Sequence, residues 1–445
     1  MTDCIQLSFF WQDQNQGNRK VEIKNAGRPT SSDGGLALVR AADDKLGLTE
    51  AIGKILNDSR DPAKVIHPIL SLLRQRVYGI CQGYEDCNDH DRLRNDPMLA
   101  CAVGREGEVL ASQPTFSRFE NAQTWKALKA VNAILLDNAL KNITDNEIIV
   151  VDFDSTDDET HGQQELSFFH GYYDHYMYHP LIVTINGRLG LVLLRPGNVH
   201  ASRGAANIAR YMIGKIRGRY PDATIIVRGD AGFAVPGMYE TLESLWVYYF
   251  IALITNARLR EMAQGELLLA RKECEARGEK VVRFSEGSYM AQSWETPRRV
   301  IYKAEVTQKG ENPRFVVTNI GGECSARCGY EFYCDRGDHE NRIKDFKNAL
   351  KGDRTSCHRF VANSFRLVEH AMAYVLMETV RDAAVGTQYE KAQFDTIRLR
   401  VLKVAAWVKR SVRRLYIELP KAFVDAREYF TILERLLPER MLCFR

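Results

Sequence analysis

The sequence predicts an α/β protein, a mixed sheet flanked by helices and entered from a wholly helical N-terminal region. Three observations carry this. The β-branched run Ile148-Ile149-Val150-Val151 reads as a buried strand, and its C-terminal end turns acidic. From there to Ile254, segments of strand and helix character follow in the order β-β-β-α-β-α-β, which indicates helices covering a sheet. Upstream, from Gly34 to about Lys141, apolar residues recur at helical spacing.

Residues 1–32 are polar and turn-rich and form an N-terminal arm with a short strand at Gln6 to Trp11. Residues 33–145 are the helical region. Leu36, Leu38, Val39, Ala42 and Leu46 share one face, as do Val65, Ile69, Leu72, Leu73, Val77 and Ile80. A turn at Ser112-Gln113-Pro114-Thr115 opens a short helix capped by Ser112 or Thr115, and Trp125 to Leu140 forms a longer one. The core is assigned to 146–255 together with 333–385. Its strands are Ile148–Val151, Leu181–Ile185, Leu189–Leu194, Ala223–Val227 and Trp246–Ile254, with a turn at Asn186-Gly187 between the second and third. Its helices are Ala205–Arg219, Pro236–Leu245, Arg336–Leu350 and Val361–Val380. Residues 256–332 break the rhythm with a charged helix, Leu259–Gly278, and short alternating runs at Tyr302–Val306 and Phe315–Thr318, so they read as a β-rich insertion. Residues 390–445 are a basic C-terminal segment whose stretch Ile397–Leu419 alternates like a hairpin.

A chain of 445 residues, 45% hydrophobic and 27% charged, buries a large core without disulfides or a structural metal. The net charge of +4 is too mild to name a partner by itself. No basic, apolar leader opens the chain and no run of 18 apolar residues occurs, so the sequence predicts a cytoplasmic protein with no membrane span. The ten cysteines are scattered and read as reduced thiols. Cys324, Cys328, Cys334 and His339 do not have zinc spacing and are read as packing residues.

Three carboxylates stand where backbone geometry aims them at one place. Asp154 ends the first strand and Asp230 ends a later one, after Arg228-Gly229, so one sheet edge can hold both. Asp152 points to the same face as Asp154 and is its rival; Asp154 is preferred because Ser155 and Thr156 follow it as a polar turn. Glu340 sits in Tyr333-x2-Arg336-x3-Glu340-x6-Lys347, and these four residues fall within about 60° of one another on a helix. The entry Gly337-Asp338 permits the helix to start later, with Tyr333 and Arg336 on its approach. Three carboxylates with cations and a hydroxyl suit two divalent metals at a phosphodiester, Mg²⁺ with Mn²⁺ able to substitute.

On these residues the chain resembles the DDE transposases of bacterial insertion sequences, in the branch with the Y-R-E-K signature, here Tyr333, Arg336, Glu340 and Lys347. The strings Asp154-Ser155-Thr156, Arg228-Gly229-Asp230-Ala231-Gly232-Phe233, His161-Gly162-Gln163-Gln164 and Gly171-Tyr172-Tyr173-Asp174 look like the subgroup numbered thirteen-eighty, as do Gln75-Arg76-Val77-Tyr78-Gly79 and Asp89 to Pro97. The resemblance spans about residues 25 to 430. It implies a ribonuclease-H-like catalytic core with a β-rich insertion, behind an all-α N-terminal DNA-binding domain. It implies Asp154, Asp230 and Glu340 as catalytic metal ligands, and Tyr333, Arg336, Lys344 and Lys347 as contacts to the DNA end. The implied activity is cut-and-paste transposition: binding of terminal inverted repeats, strand cleavage and strand transfer by a homodimer on double-stranded DNA. Some relatives flip a base onto a tryptophan of the insertion, and Trp294 is the candidate here.

Arg118 lies in a helix that could read DNA, and Arg398, Arg400, Lys409 and Arg410 belong to a one-signed basic stretch suited to a DNA backbone. His161 follows Asp154 closely enough to approach the site, whereas His170, His175 and His179 read as structural. Two rivals stand beside the transposase reading. One is a hydrolytic nuclease or resolvase on the same core. The other is a catalytically silent DNA-binding descendant, which would have no chemical use for the intact carboxylates.

Overall fold

The computed structural model describes residues 28–143 and 147–438, apart from the side chains of 338–340, together with the short strand pair Gln12–Asp13 and Arg19–Lys20. The expected strand at Gln6 to Trp11 lies outside the described residues.

A two-residue strand, β1 (Thr30–Ser31), leads into helices α1 (Leu36–Leu46), α2 (Leu48–Ile55), α3 (Ile69–Cys81), α4 (Pro97–Ala102), α5 (Gln113–Asn121) and α6 (Trp125–Lys141). Of the two expected caps of α5, Ser112 holds the position, with Pro114 in the first turn; α6 is capped by Thr124, whose hydroxyl accepts the Ala127 amide at 3.3 Å.

The sheet follows. Strand β2 (Ile148–Ser155) buries Ile149, Val151 and Phe153 on one face, which turns Asp152 and Asp154 to the other. A small three-stranded sheet comes next, from β3 (Asp158–Glu159), β4 (Phe168–His170) and β5 (His175–Tyr178). Then come β6 (Leu181–Ile185), β7 (Arg188–Leu193), α7 (Ala205–Arg219), β8 (Thr224–Gly229), α8 (Pro236–Ser244) and β9 (Tyr248–Leu253). Apart from β2, which runs four residues past the expected end at Val151, the expected elements here stand within two residues of their predicted ends.

Residues 256–332 hold α9 (Ala257–Met262), α10 (Gln264–Arg277), β10 (Val281–Tyr289), β11 (Arg298–Thr307), β12 (Gly310–Glu311), β13 (Arg314–Thr318) and most of α11 (Ala326–Cys334). These strands are not a separate β unit. β13 pairs antiparallel with β9, Phe250 against Thr318, and the result is one nine-stranded sheet ordered β10-β11-β13-β9-β8-β2-β6-β7, with β12 on β11. The apolar faces of Val300, Tyr302, Phe315 and Val317 join the same core as β2 and β8, which is why the insertion extends the sheet.

After α12 (Gly337–Lys344) and a wide helical turn at Asp345–Ala349 comes α13 (Phe360–Ala383), buried almost all round. A helix with no solvent face sits inside a bundle, and α13 packs on α1, α3, α5 and α6. The chain closes with α14 (Phe394–Ile397), β14 (Ala406–Arg410), β15 (Leu415–Glu418) and α15 (Ala426–Leu436).

Two expectations about domains change here. The C-terminal stretch is not a free basic segment: β14 pairs with β1, α15 packs on α1, and Phe394, Val401, Leu402 and Tyr429 are buried in the helical core. The helical region is likewise not closed within 33–145, because α13 and the C-terminal residues complete it. Gly34 and Gly35 permit the closure. Their amides donate to Val404 and Leu402 carbonyls at 2.8 and 3.0 Å, and a Cβ on Gly35 would stand 2.2 Å from the Leu402 Cα. The expected alternating strand at Ile397–Val401 is helical, since Ile397, Val401 and Leu402 all turn into this core.

The bundle centre carries a buried charge cluster. The Arg76 Nε lies 3.1 Å from Glu120 and 3.7 Å from Glu369, and the Arg366 Nε lies 3.7 Å from Glu120. Burial, then the Glu120 charge, pushes the Glu369 carboxyl well up. Burial opposes ionisation of Glu120 too, but Arg366 and Arg76 hold it below its ordinary value.

Candidate active site

Strands β2 and β8 run parallel, with Phe153 opposite Gly229, so the next residues, Asp154 and Asp230, emerge side by side at the strand ends. Asp154 is 8% exposed, and its carboxylate accepts the Ser155 amide at 2.8 Å and meets the Arg336 Nη2 at 2.7 Å. Asp230 caps the turn Ala231–Phe233 by accepting the Gly232 amide at 2.8 Å. The turn needs glycine: a Cβ on Gly232 would lie 2.7 Å from the Ala201 Cβ.

Asp152, the rival, is engaged elsewhere. Arg228 sits opposite it in register and donates to both its oxygens, at 2.7 and 2.9 Å. This bidentate pair is buried in the sheet and ties β2 to β8 below the carboxylates.

The second wall comes from the helices. α11 ends at Cys334 and α12 begins at Gly337, so Tyr333 and Arg336 lie on the approach to the helix that carries Glu340. The backbone of Glu340 is in α12; its side chain lies outside the described residues. Burial resists the Arg336 charge, but Asp154, Tyr333 and Asp230 raise its pKa. Burial pushes the Tyr333 hydroxyl up, and Asp230 and Asp154 add to it against Arg336. Lys347, in the wide turn, donates to the Thr156 hydroxyl at 3.1 Å and to the Asp157 carbonyl and carboxylate, each at 2.9 Å. It thus ties that turn to the loop leaving β2. Lys344 is exposed on α12. The structure therefore gathers Asp154, Asp230, Tyr333, Arg336 and Lys347.

Three residues at this site went unnoticed as site residues in the sequence. Burial opposes the Asp157 charge, but the hydrogen bond and charge of Lys347, with a backbone hydrogen bond, together outweigh it and lower the pKa. The His175 Nε2 lies 3.6 Å from Asp157, so this histidine is closer to the carboxylates than a purely structural reading allows. Tyr173 is half-buried, and burial followed by Asp157, Asp230 and Asp154 pushes its hydroxyl up to about 12. The density of acids after β2 was the available signal for Asp157; for Tyr173 and His175 the small sheet β3–β5 had to be seen.

Asp158 is buried and hydrogen-bonded to the Thr355 hydroxyl at 2.8 Å, and burial raises its pKa well above 3.8. A raised carboxyl stabilises the fold fully below the unfolded value, and that contribution is lost as pH rises through the folded value. Asp158→Asn escapes the loss. It is expected to raise the unfolding temperature at about pH 8 and to change nothing below about pH 4. Thermal unfolding at both pH values reads this; equal curves at pH 8 would refute it.

Other sequence candidates stand elsewhere. Trp294 is 5% exposed, enclosed edge-on by Tyr239 and Tyr289 at 5.2 and 5.4 Å with the Arg298 guanidinium 5.2 Å from its ring. It is a core ring, and its face is not open to a base. Arg398 donates to the Cys81 and Ala349 carbonyls, at 3.0 and 2.6 Å, and to Asp395 at 2.8 Å, so it braces the bundle and is not a free backbone contact. Arg118, Arg400, Lys409 and Arg410 are exposed, Arg410 with Glu106 3.7 Å away. Among the described residues no three His, Cys, Asp or Glu side chains form a metal-holding group, and no helix is long and apolar enough to cross a membrane.

The family model "Transposase DDE domain group 1" matches residues 13–441. No curated protein matches the chain. Among solved structures, the cryo-EM structure of the piggyBac transposase synaptic complex with hairpin DNA is similar at 9% identity and a TM-score of 0.41, over 85% of this chain and 82% of that one.

Proposed function

The chain belongs to the Transposase DDE domain group 1 family, and from that premise we propose that it is a metal-dependent transposase that cleaves the ends of an insertion sequence and joins them to target DNA. The observation that supports this best is the pairing of Asp154 and Asp230 at adjoining ends of parallel strands, beside Arg336 and Lys347. Within this reading the core is ribonuclease-H-like, the element belongs to the thirteen-eighty subgroup, and the Y-R-E-K signature is Tyr333, Arg336, Glu340 and Lys347.

The donor set fits a hard divalent cation. Asp154 and Asp230 offer adjacent carboxylates, with Glu340 from α12 as the third. Mg²⁺ or Mn²⁺ bound there supplies charge for the attacking and leaving oxygens of an in-line displacement. The chain's own groups do the rest. Arg336 offsets the carboxylate charge at Asp154 and presents a guanidinium to a phosphate. Lys347 adds an ammonium fixed by Asp157, and Tyr333 stays protonated beside the carboxylates and can donate a hydrogen bond. The exposed cations Lys344, Arg400 and Lys409 would follow the backbone of double-stranded DNA, bound by a homodimer, with a salt-sensitive affinity.

The test is cleavage of a labelled duplex bearing the element's ends in Mg²⁺, comparing Asp154→Asn with Asp152→Asn. Asp154→Asn is expected to abolish nicking. Asp152→Asn is expected to lower the unfolding temperature, by leaving Arg228 half-paired, and to keep nicking once the protein is folded. Nicking that survives Asp154→Asn and vanishes in folded Asp152→Asn would reverse the assignment. Joining of the cut 3′ end to a second duplex separates transposase from hydrolytic nuclease.

A further inference from the structure

Aromatic rings seldom stand open to water in numbers without a use, and the small sheet β3–β5 shows several. Tyr172, at the tip of the hairpin joining β4 to β5, is 86% exposed. Phe169 and Tyr176 face each other across the strands, 5.8 Å apart and edge to face, and are 50% and 60% exposed. The inner side of the same hairpin faces the carboxylates. Tyr173 feels Asp157, Asp230 and Asp154, and the Tyr172 ring stands edge-on to it at 5.0 Å. Behind the tip, His179 packs 6.0 Å from Tyr173 and holds the Val199 carbonyl at 2.9 Å. That loop carries the exposed His200 and the exposed cation Arg203 and, through Ala201, rests on the Asp230 turn.

Open rings, a neighbouring guanidinium and a phosphodiester site within one residue's reach fit one kind of ligand. An unpaired base offers a bare π-face to a ring and a phosphate to a cation, whereas a base inside a duplex has no face free. We propose that Tyr172, with the Phe169–Tyr176 pair behind it, is a stacking site for unpaired bases of the DNA strand held at the carboxylates. This rests on the transposase reading, in which cutting leaves unpaired nucleotides beside the site.

The probe is a fluorescein-labelled (dT)12 strand, titrated by anisotropy against the full chain without metal, beside a blunt duplex. Tyr172→Ala is expected to weaken single-strand binding roughly 5- to 150-fold, Tyr172→Trp to restore it, and Tyr172→Leu to leave it weak. Duplex affinity and unfolding temperature are expected to stay at the wild-type level. Absent (dT)12 binding by the wild-type chain, unchanged affinity in Tyr172→Ala, or equal rescue by Leu and Trp would each overturn the proposal. So would a change from dimer to monomer in Tyr172→Ala by light scattering with (dT)12 affinity unchanged, which would give the rings to a second copy. Wild-type nicking of the end duplex in Mg²⁺ is scored separately. Nicking without ring-dependent (dT)12 binding refutes only the stacking site, whereas ring-dependent binding without nicking refutes the cleavage reading.

Discussion

Replacing Asp230 by Asn is expected to cut Mg²⁺-dependent nicking of the end duplex by roughly 10³-fold or more, the scale of removing one member of a catalytic unit. The substitution is nearly silent for the fold. An Asn side-chain oxygen still accepts the Gly232 amide, so the turn Ala231–Phe233 keeps its cap. The loss is the negative charge beside Asp154, which in the proposed mechanism would help hold a divalent cation. Glu340→Gln is expected to behave alike. Binding of uncleaved duplex, read by gel shift, should survive in both. Nicking within tenfold of wild type in Asp230→Asn would remove the carboxylate pair from the mechanism.

The largest stability effect is expected inside the helical bundle. Arg76→Met removes the cation nearest Glu120 and Glu369, and leaves the Glu120 charge buried with Arg366 alone. Breaking a buried pair from one side costs about 3–5 kcal/mol. Glu369→Gln is expected to cost far less. Burial and the Glu120 charge push that carboxyl up toward its neutral form, which an amide resembles. The sign with pH follows: the Glu369 contribution is complete below about 4.5 and falls as pH rises through its raised folded value, a fall the Gln variant lacks. Guanidinium unfolding of both variants at neutral and alkaline pH measures this. Equal losses in Arg76→Met and Glu369→Gln would refute the charge assignment.

The sheet core was largely legible because its strands are short, β-branched and bounded by turns, and its helices keep a single period. Strand β2 shows how far that goes. Its alternation placed Asp152 and Asp154 on one face, yet choosing between them needed the register that sets Arg228 opposite Asp152. Local pattern carries no information about a partner 76 residues away. The small sheet β3–β5 escaped notice because its strands are two to four residues long and half-exposed, too short for a period to emerge. Alternation at Ile397–Val401 misled for the opposite reason. Five residues that alternate apolar and basic satisfy a strand, but burial of Ile397, Val401 and Leu402 against the bundle imposed a helix. Trp294 was assigned from a resemblance, and only its neighbours could show a ring already enclosed.

The glycine closure bears on how the protein is made. Gly34, Gly35 and Asp33 find their partners in Leu402, Val404 and Lys403, and the Asp33–Lys403 contact at 2.7 Å spans 370 residues. A nascent chain emerging from the ribosome thus carries α1 to α6 for most of its synthesis with an unfinished interior, waiting for α13 and the final strands. Contacts so distant in sequence form late and leave apolar surface bare in the interim. A product ending before about residue 390 would lack the closing strand and fail as a whole bundle, so premature termination silences the protein instead of releasing a working fragment.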